Sequence, residues 1–336
     1  MRSAALSAII LFCSLLFATA AEADRCQQVR AGLDIGSGTT KIAVARVNVC
    51  QLRIEKMLYQ DQQAVAWNDA LTHSPDNQLS PAIVQEGVAA LRQLLTHAQR
   101  FHPERISGVA TAVFRNAGNG EAVIAQLQRQ SGTAIRLISQ QQEAKLGFLS
   151  AKAALGDPDA RDEQLLVWDI GGGSMQMTAW RQEAGKPVAD IYQGRLASVT
   201  LKNFILTVLK NQPDARSPNP IGSWRPSVLR FVQFYAANDI SPQIRQDIAG
   251  RRVIGIGGVH GFSIRNQLPG KPDRYTLAAL RQLSEQQVWK GDSELSGDYR
   301  ATDVSNLLLV EGFMQALKIN EVTVVKASLI EGVLLQ

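Results

Sequence analysis

The chain has 336 residues, 45% of them hydrophobic and 19% charged. A length near that of two ordinary domains, with this much apolar material, excludes general disorder and collagen-like repeats. The 35 Lys and Arg against 30 Asp and Glu leave a formal net charge of +5; the cations are scattered, which suits an anionic ligand and gives no nucleic-acid patch.

In chain order, residues 1–23 read as an export signal. Arg2 supplies the positive start, Ala4 to Ala18 an apolar run, and Ala18-Thr19-Ala20 or Ala21-Glu22-Ala23 a small-residue cleavage site. The run is shorter than the ~20 residues that span a bilayer. The expectation is a cleaved signal, no stable membrane anchor, and a periplasmic or secreted protein. Cys13 leaves with the signal, and Cys26 and Cys50 remain as an even pair in an oxidising compartment. They flank a predicted hairpin, Val29 to Ile35 and Lys41 to Val47, so a disulfide closing a loop of about 25 residues is expected, worth ~3 kcal/mol. The alternative is two unrelated buried thiols. With these two Cys and four His, a structural zinc site is not expected.

Helical spacing of Ile83, Val84, Val88, Leu91, Leu94 and Leu95 predicts a helix from Ile83 to Phe101, opened by Ser80-Pro81. A strand follows at Ile106 to Ala112, a helix at Glu121 to Gln130, an extended run at Ala134 to Ile138, and a helix at Gln141 to Leu155. This alternation reads as α/β. The cycle then restarts, with strand Gln164 to Asp169, turn Gly171 to Ser174 and strand Met175 to Trp180, an internal duplication of architecture. Pro213 to Pro226 reads as a surface loop. Val253 to Gly258 and Glu321 to Val325 read as strands, and Val304 to Ile319 as a helix.

The duplicated hairpins carry the chemistry. Asp34-Ile35-Gly36-Ser37-Gly38-Thr39-Thr40 and Asp169-Ile170-Gly171-Gly172-Gly173-Ser174 each place a carboxylate at the end of a buried strand. Residues small enough for backbone N–H groups to approach phosphate oxygens follow, with hydroxyls as extra donors. Two such turns facing each other would grip a phosphate chain, with Asp34 and Asp169 holding a divalent cation. One Gly-rich turn alone would be ordinary hairpin chemistry. A third Gly-rich element, Ile254 to Gly261, adds Gly257 and Gly258 as phosphate-binding candidates.

Together the three elements resemble the phosphate-1, phosphate-2 and adenosine-type signatures of the sugar kinase, heat-shock-protein and actin superfamily, over nearly all of the chain beyond the signal. Within it, Ala110 to Ala117, Ile138 to Leu146, Asp169 to Ser174 and Glu321 to Leu334 resemble, in order and spacing, the exopolyphosphatase/guanosine pentaphosphatase (Ppx/GppA) family. The resemblance implies two actin-like, ribonuclease H-like lobes with an interlobe cleft, spanning residues 24–142 and 143–336. It implies an exopolyphosphatase-like hydrolase that releases terminal phosphate from polyphosphate or a related phosphoanhydride by water attack with Mg2+. Glu143 falls at the family's general base and Arg115 at its phosphate-contacting arginine.

Three departures stand out. Gln176 occupies the place of a glutamate usual in the family, and a neutral amide is a poorer magnesium ligand and no base. Gln140 to Gln142 replace Gly and acidic residues, and Gly38-Thr39-Thr40 replaces an Asn-Ser pair. Lys41 and Lys145 read as solvated, and His260 as a polar loop residue. Trp67, Trp168 and Trp180 could stack on a base, with core packing favoured for the last two. Two rival functions stay open: a catalytically impaired relative that binds a phosphate ligand, and an ATP-binding ATPase or kinase of the same superfamily. Export favours polyphosphate over a cytoplasmic nucleotide. A homodimer is allowed by the sequence, not required by it.

Overall fold

The computed structural model describes residues 25–336 other than Pro158 and Asp298; the predicted signal segment lies outside the described residues. The first sheet is built from β1 (Gln27–Ile35), β2 (Thr39–Asn48), β3 (Arg53–Ala64), β4 (Arg105–Ala110) and β5 (Ala134–Leu137), in the order β3-β2-β1-β4-β5. Strands β1, β2 and β3 form an antiparallel meander, and β4 and β5 continue the sheet in parallel from β1. Helices α1 (Trp67–Thr72), α2 (Pro81–Ala98), α3 (Ala112–Asn116) and α4 (Gly120–Ser131) belong to this lobe. Helix α2 starts where the sequence says it should: the Ser80 hydroxyl accepts a hydrogen bond from the Ile83 N–H, and Pro81 needs no donor partner at the first helical position.

Helix α5 (Gln140–Leu155) then leads into the second lobe. Its sheet comprises β6 (Leu165–Ile170), β7 (Met175–Glu183), β8 (Lys186–Gly194), β9 (Arg252–Ile256), β10 (Arg274–Thr276) and β11 (Glu321–Val324), ordered β10-β11-β9-β6-β7-β8. Read from the other edge, β8-β7-β6-β9-β11 repeats the order and directions of the first sheet, with β10 added. The duplication expected from the two Gly-rich hairpins is therefore a duplication of whole sheets. Helices α6 (Ser198–Phe204), α7 (Arg225–Asp239), α8 (Pro242–Ile248), α9 (Leu277–Gln287), α10 (Arg300–Leu317) and α11 (Leu329–Leu334) complete the lobe. Helix α10 is its hub, burying Leu307, Leu308, Leu309, Val310, Phe313 and Met314.

The chain crosses between lobes twice. Glu143 stands in the first turn of α5, so the expected boundary between residues 142 and 143 falls inside a helix. At the other end, α11 leaves the second sheet and packs Ile330 and Leu334 against Ala43, Ala45 and Val47 of β2. The Gly332 N–H donates to Ser150 of α5 at 2.7 Å, and a Cβ on Gly332 would lie 2.7 Å from the Leu146 carbonyl oxygen. Only glycine permits that approach. No helix among the described residues is long and apolar enough to cross a membrane.

Strands β3 and β8 were not legible as strands in the sequence. Both are edge strands, and β3 alternates between exposed and half-buried positions with no fully buried one. Edge strands carry polar residues on the open face and edge, which weakens the hydrophobic signal.

Cys26 and Cys50 are disulfide-bonded, with Cα atoms 5.4 Å apart across a separation of 24 residues. The bridge ties the start of β1 to the turn after β2, where the Val49 N–H also donates to the Cys26 carbonyl at 2.8 Å. Replacing both cysteines by serine is expected to lower stability by about 3 kcal/mol. A reduced urea midpoint relative to the oxidised parent checks this, and an unchanged midpoint would mean that the bridge constrains nothing.

Candidate functional site

Each sheet ends its first strand in a buried aspartate and turns back through small residues. Asp34 precedes Gly36, whose N–H donates to the Thr39 carbonyl at 2.9 Å; Asp169 precedes Gly171, whose N–H donates to the Ser174 carbonyl at 3.0 Å. The two turns are thus closed by the same hydrogen bond. The amides of Ser37, Gly38, Gly172 and Gly173 make no backbone hydrogen bond. They are ready donors for an anion.

The turns also touch. A Cβ on Gly172 would lie 3.2 Å from the Ser37 Cβ, and one on Gly173 would lie 3.3 Å from the Ser37 Oγ. Between the lobes they enclose a cavity of about 330 Å³, and Asp34, Glu143 and Asp169 all line it. Gly36, Ser37, Gly38, Thr39, Gly171, Gly172, Gly173, Ser174, Gly257 and Gly258 line the same cavity. The third Gly-rich element makes room for an acid. Gly257 has φ of +83°, and a Cβ there would sit 2.3 Å from Asp169 Oδ1. The backbone conformation and the neighbouring carboxylate therefore both demand glycine.

Thr40 and Arg115 were expected to meet phosphate, and neither lines the cavity. Thr40 is opposite Ile35 in the β1–β2 register, one residue out of phase with the face that carries Thr39 and Lys41. Its buried hydroxyl faces away from the cleft and has no protein partner. Arg115 points its Nη1 at the Ile138 carbonyl, 2.9 Å away, and sits 2.8 Å from Glu143 Oε2. The contact with Glu143 is an ion pair. Arg115 holds the carboxylate in place instead of reaching the cleft.

Lys41, expected in solvent, is directly opposite Asp34 in the strand register and lines the cavity. Strand alternation alone predicts that shared face. Lys145 is exposed. His260 is fully buried, 2.7 Å from the Tyr275 hydroxyl and edge-on to Trp168, and burial lowers its pKa to about 3. It is a neutral core histidine. Trp67 and Trp168 are likewise fully buried, and Trp67 packs on Phe114. Trp180 is half-buried against Phe148. Two of the three glutamines have structural tasks: Gln142 forms a capping box with Ser139, and Gln140 donates to the carbonyls of Met175 and Gly194 at 3.2 and 3.0 Å.

Several lining residues had no local signal in the sequence. Asn68 and Asp69 come from α1, which is held at the first turn by the Asn68 N–H donating to the Ser37 carbonyl at 2.9 Å. Lys202 of α6, almost wholly buried, reaches across to Asp69 at 3.4 Å. Ser198 and Val199 donate their N–H groups to the Gly171 and Gly172 carbonyls at 3.2 and 2.8 Å, docking the start of α6 on the second turn. Such neighbours are set by tertiary packing.

Electrostatics define the site. Burial raises the Asp34 carboxyl above its ordinary range, with Lys41 opposing. Burial also raises Glu143, and Arg115 pulls it back. Asp169 is pushed up to about 7, first by burial and then by the charges of Glu143 and Asp34. Three carboxylates in one closed space repel each other and favour a bound cation. Among the described residues no group of three or more His, Cys, Asp or Glu is arranged to hold a metal ion. The donor set nevertheless fits Mg2+, which keeps much of its water and asks the protein for one or two carboxylates beside substrate phosphates. Asp34 and Asp169 would be those two.

The raised Asp169 pKa has a stability consequence. Its folded value near 7 exceeds its ordinary value of 3.8, so the folded form holds a proton that the unfolded chain releases. The stabilisation is complete below about pH 4 and is lost as pH rises through 7. Metal-free protein is expected to melt at progressively lower temperature across that window, and Asp169→Asn to flatten the slope. Parallel melting curves for parent and variant would contradict the assignment.

A family model described as the Ppx/GppA phosphatase family matches residues 47–198. A guanosine-5'-triphosphate,3'-diphosphate pyrophosphatase from Aeromonas salmonicida is 24% identical over 315 residues, covering 90% of this chain and 58% of that protein. The chain thus spans little more than half the length of the curated relatives it matches. In fold, it is similar to a PPX-GPPA enzyme from Aquifex aeolicus, with TM-score 0.69 at 17% identity over 92% of this chain and 99% of that one. It is similar also to an exopolyphosphatase from Cytophaga hutchinsonii, with TM-score 0.70 at 17% identity over 91% and 96%. With the duplicated sheets and the paired aspartate turns, these matches give the chain the two-lobed actin-like fold and a similarity to the Ppx/GppA phosphatase family that the family model carries over residues 47–198.

Proposed function

We propose that the cleft hydrolyses the terminal phosphate of a phosphoanhydride chain, with inorganic polyphosphate as substrate. The observation that carries this reading is the convergence of both Gly-rich turns, Asp34, Asp169 and Glu143 on one cavity. Free turn amides from Ser37, Gly38, Gly172 and Gly173, with the hydroxyls of Ser37 and Thr39, bind phosphoryl oxygens of neighbouring phosphates and orient the chain. Glu143, buried yet charge-paired, accepts the proton of the attacking water, and its raised pKa brings its basicity closer to neutral pH. Arg115 fixes the Glu143 carboxylate from behind, and Lys41 offsets the charge of Asp34 as oxygens approach. Mg2+, held by Asp34 and Asp169, would neutralise phosphate charge when bound. Attack is in line, with the shortened chain as leaving group and inorganic phosphate as product.

Export directs the choice of substrate. The predicted signal segment and the Cys26–Cys50 bridge both suit a periplasmic or secreted protein. The Aeromonas relative is named for a guanosine nucleotide, which is made and used in the cytoplasm; a protein outside it meets inorganic polyphosphate instead.

The test is phosphate release from long polyphosphate by the chain lacking residues 1–23, with Mg2+. Glu143→Gln is expected to reduce kcat by about 10²–10⁴-fold while polyphosphate binding, followed by calorimetry, changes little. Unaltered turnover in the variant would remove Glu143 from the mechanism, and a parent inactive on every phosphoanhydride would refute the function.

A further inference from the structure

Gln176 invites the interpretation of a lost metal ligand, and its surroundings say otherwise. It is opposite Asp169 in the β6–β7 register, as Lys41 is opposite Asp34 in the first lobe. Lys41 lines the cavity; Gln176 does not, and is only 1% exposed. Its Nε2 donates to the Ser174 Oγ at 3.1 Å, and the Ser174 Oγ donates to Glu143 Oε1 at 3.4 Å. All three side chains are buried, Ser174 and Glu143 at the cavity wall and Gln176 behind them.

We propose that Gln176 is a positioning residue for Glu143, acting through the Ser174 hydroxyl. The argument is one of proton count. A serine hydroxyl has a single hydrogen and two lone pairs. The amide N–H of Gln176 occupies a lone pair, which leaves the hydroxyl proton for Glu143 Oε1. Arg115 holds the other carboxylate oxygen at 2.8 Å. Oε1 is therefore met by a long hydrogen bond from Ser174 and Oε2 by the Arg115 ion pair without a hydrogen bond of its own, each from a group that is itself anchored, Arg115 on the Ile138 carbonyl and Ser174 on Gln176. A carboxylate at position 176 reverses the chain. It can only accept, so it takes the Ser174 proton and withdraws the donor from Glu143. It also adds a buried negative charge beside Asp34, Glu143 and Asp169. In this site the amide supports catalysis and a glutamate would damage it.

The inference rests on Glu143 being the base of the proposed hydrolysis, and its test includes a measurement that needs no turnover. Gln176→Met and Gln176→Glu are compared with the parent after circular dichroism has shown each to be folded. Gln176→Met is expected to lower kcat ten-fold or more with KM within three-fold, and to add no further loss in a Ser174→Ala background, since both act through one contact. Gln176→Glu is expected to lower kcat at least as far and to leave Mg2+ affinity, by calorimetry without substrate, within about three-fold. Independent of activity, a crystal structure of Gln176→Met is expected to show the Glu143 carboxylate turned away from Ser174. A Gln176→Glu protein that turns over faster or binds Mg2+ ten-fold tighter would overturn the inference, as would losses that multiply with Ser174→Ala or a Glu143 carboxylate unmoved in the Gln176→Met crystal. A parent that releases no phosphate refutes the proposed function instead, and the crystal structure still decides the role of Gln176.

Discussion

The site depends on one close approach, that of Ser37 to the backbone of Gly172 and Gly173. Two sheets of the same design, each carrying an aspartate at the end of its first strand, share one cavity only because their turns approach each other across the cleft. A Cβ at either glycine would press on Ser37 and require it to give by a few tenths of an ångström. The remaining architecture maintains this contact. Helix α11 returns from the second sheet to pack on β2, α5 runs through the junction, α6 hangs from the second turn by two backbone hydrogen bonds, and Lys202 reaches Asp69 across the opening.

That closeness has an electrostatic cost. Three carboxylates are buried around one cavity, and Lys41 and Arg115 are the cations set against them. The arrangement leaves Asp169 titrating near 7 and makes a divalent cation with a polyanion a natural complement, since the two together bring both charge types. Arg115 and Ser174 are the side chains that meet the Glu143 carboxylate, so in the proposed reaction they would set where the base points.

What the sequence reveals follows from how local each feature is. The paired aspartate turns are legible because strand, carboxylate and small residues lie within a few positions and recur. The helix at α2 is legible because Ser80, Pro81 and the apolar stripe agree. Lys41 was within reach, since alternation puts it on the face of Asp34, but a lysine in isolation reads as solvated. Arg115 could be recognised and not aimed: its partner Glu143 lies on another element, and only packing turns the guanidinium inward. Within Gln140 to Gln142, which looked like thinned charge, Gln142 completes a capping box and Gln140 is an interstrand tether, tasks that belong to backbone geometry. Asn68, Asp69 and Lys202 enter the site through tertiary contacts alone.

The most direct test is a crystal structure of the chain with Mg2+ and imidodiphosphate, a non-hydrolysable pyrophosphate analogue. The account predicts one analogue bridging the cleft, its oxygens accepting from amides in both the Ser37–Gly38 and Gly172–Gly173 turns, with Asp34 and Asp169 facing the same cation. An analogue held by one turn only, or seated in the neighbouring hollow beside His73 and Arg216 while the cleft stays open, would contradict it.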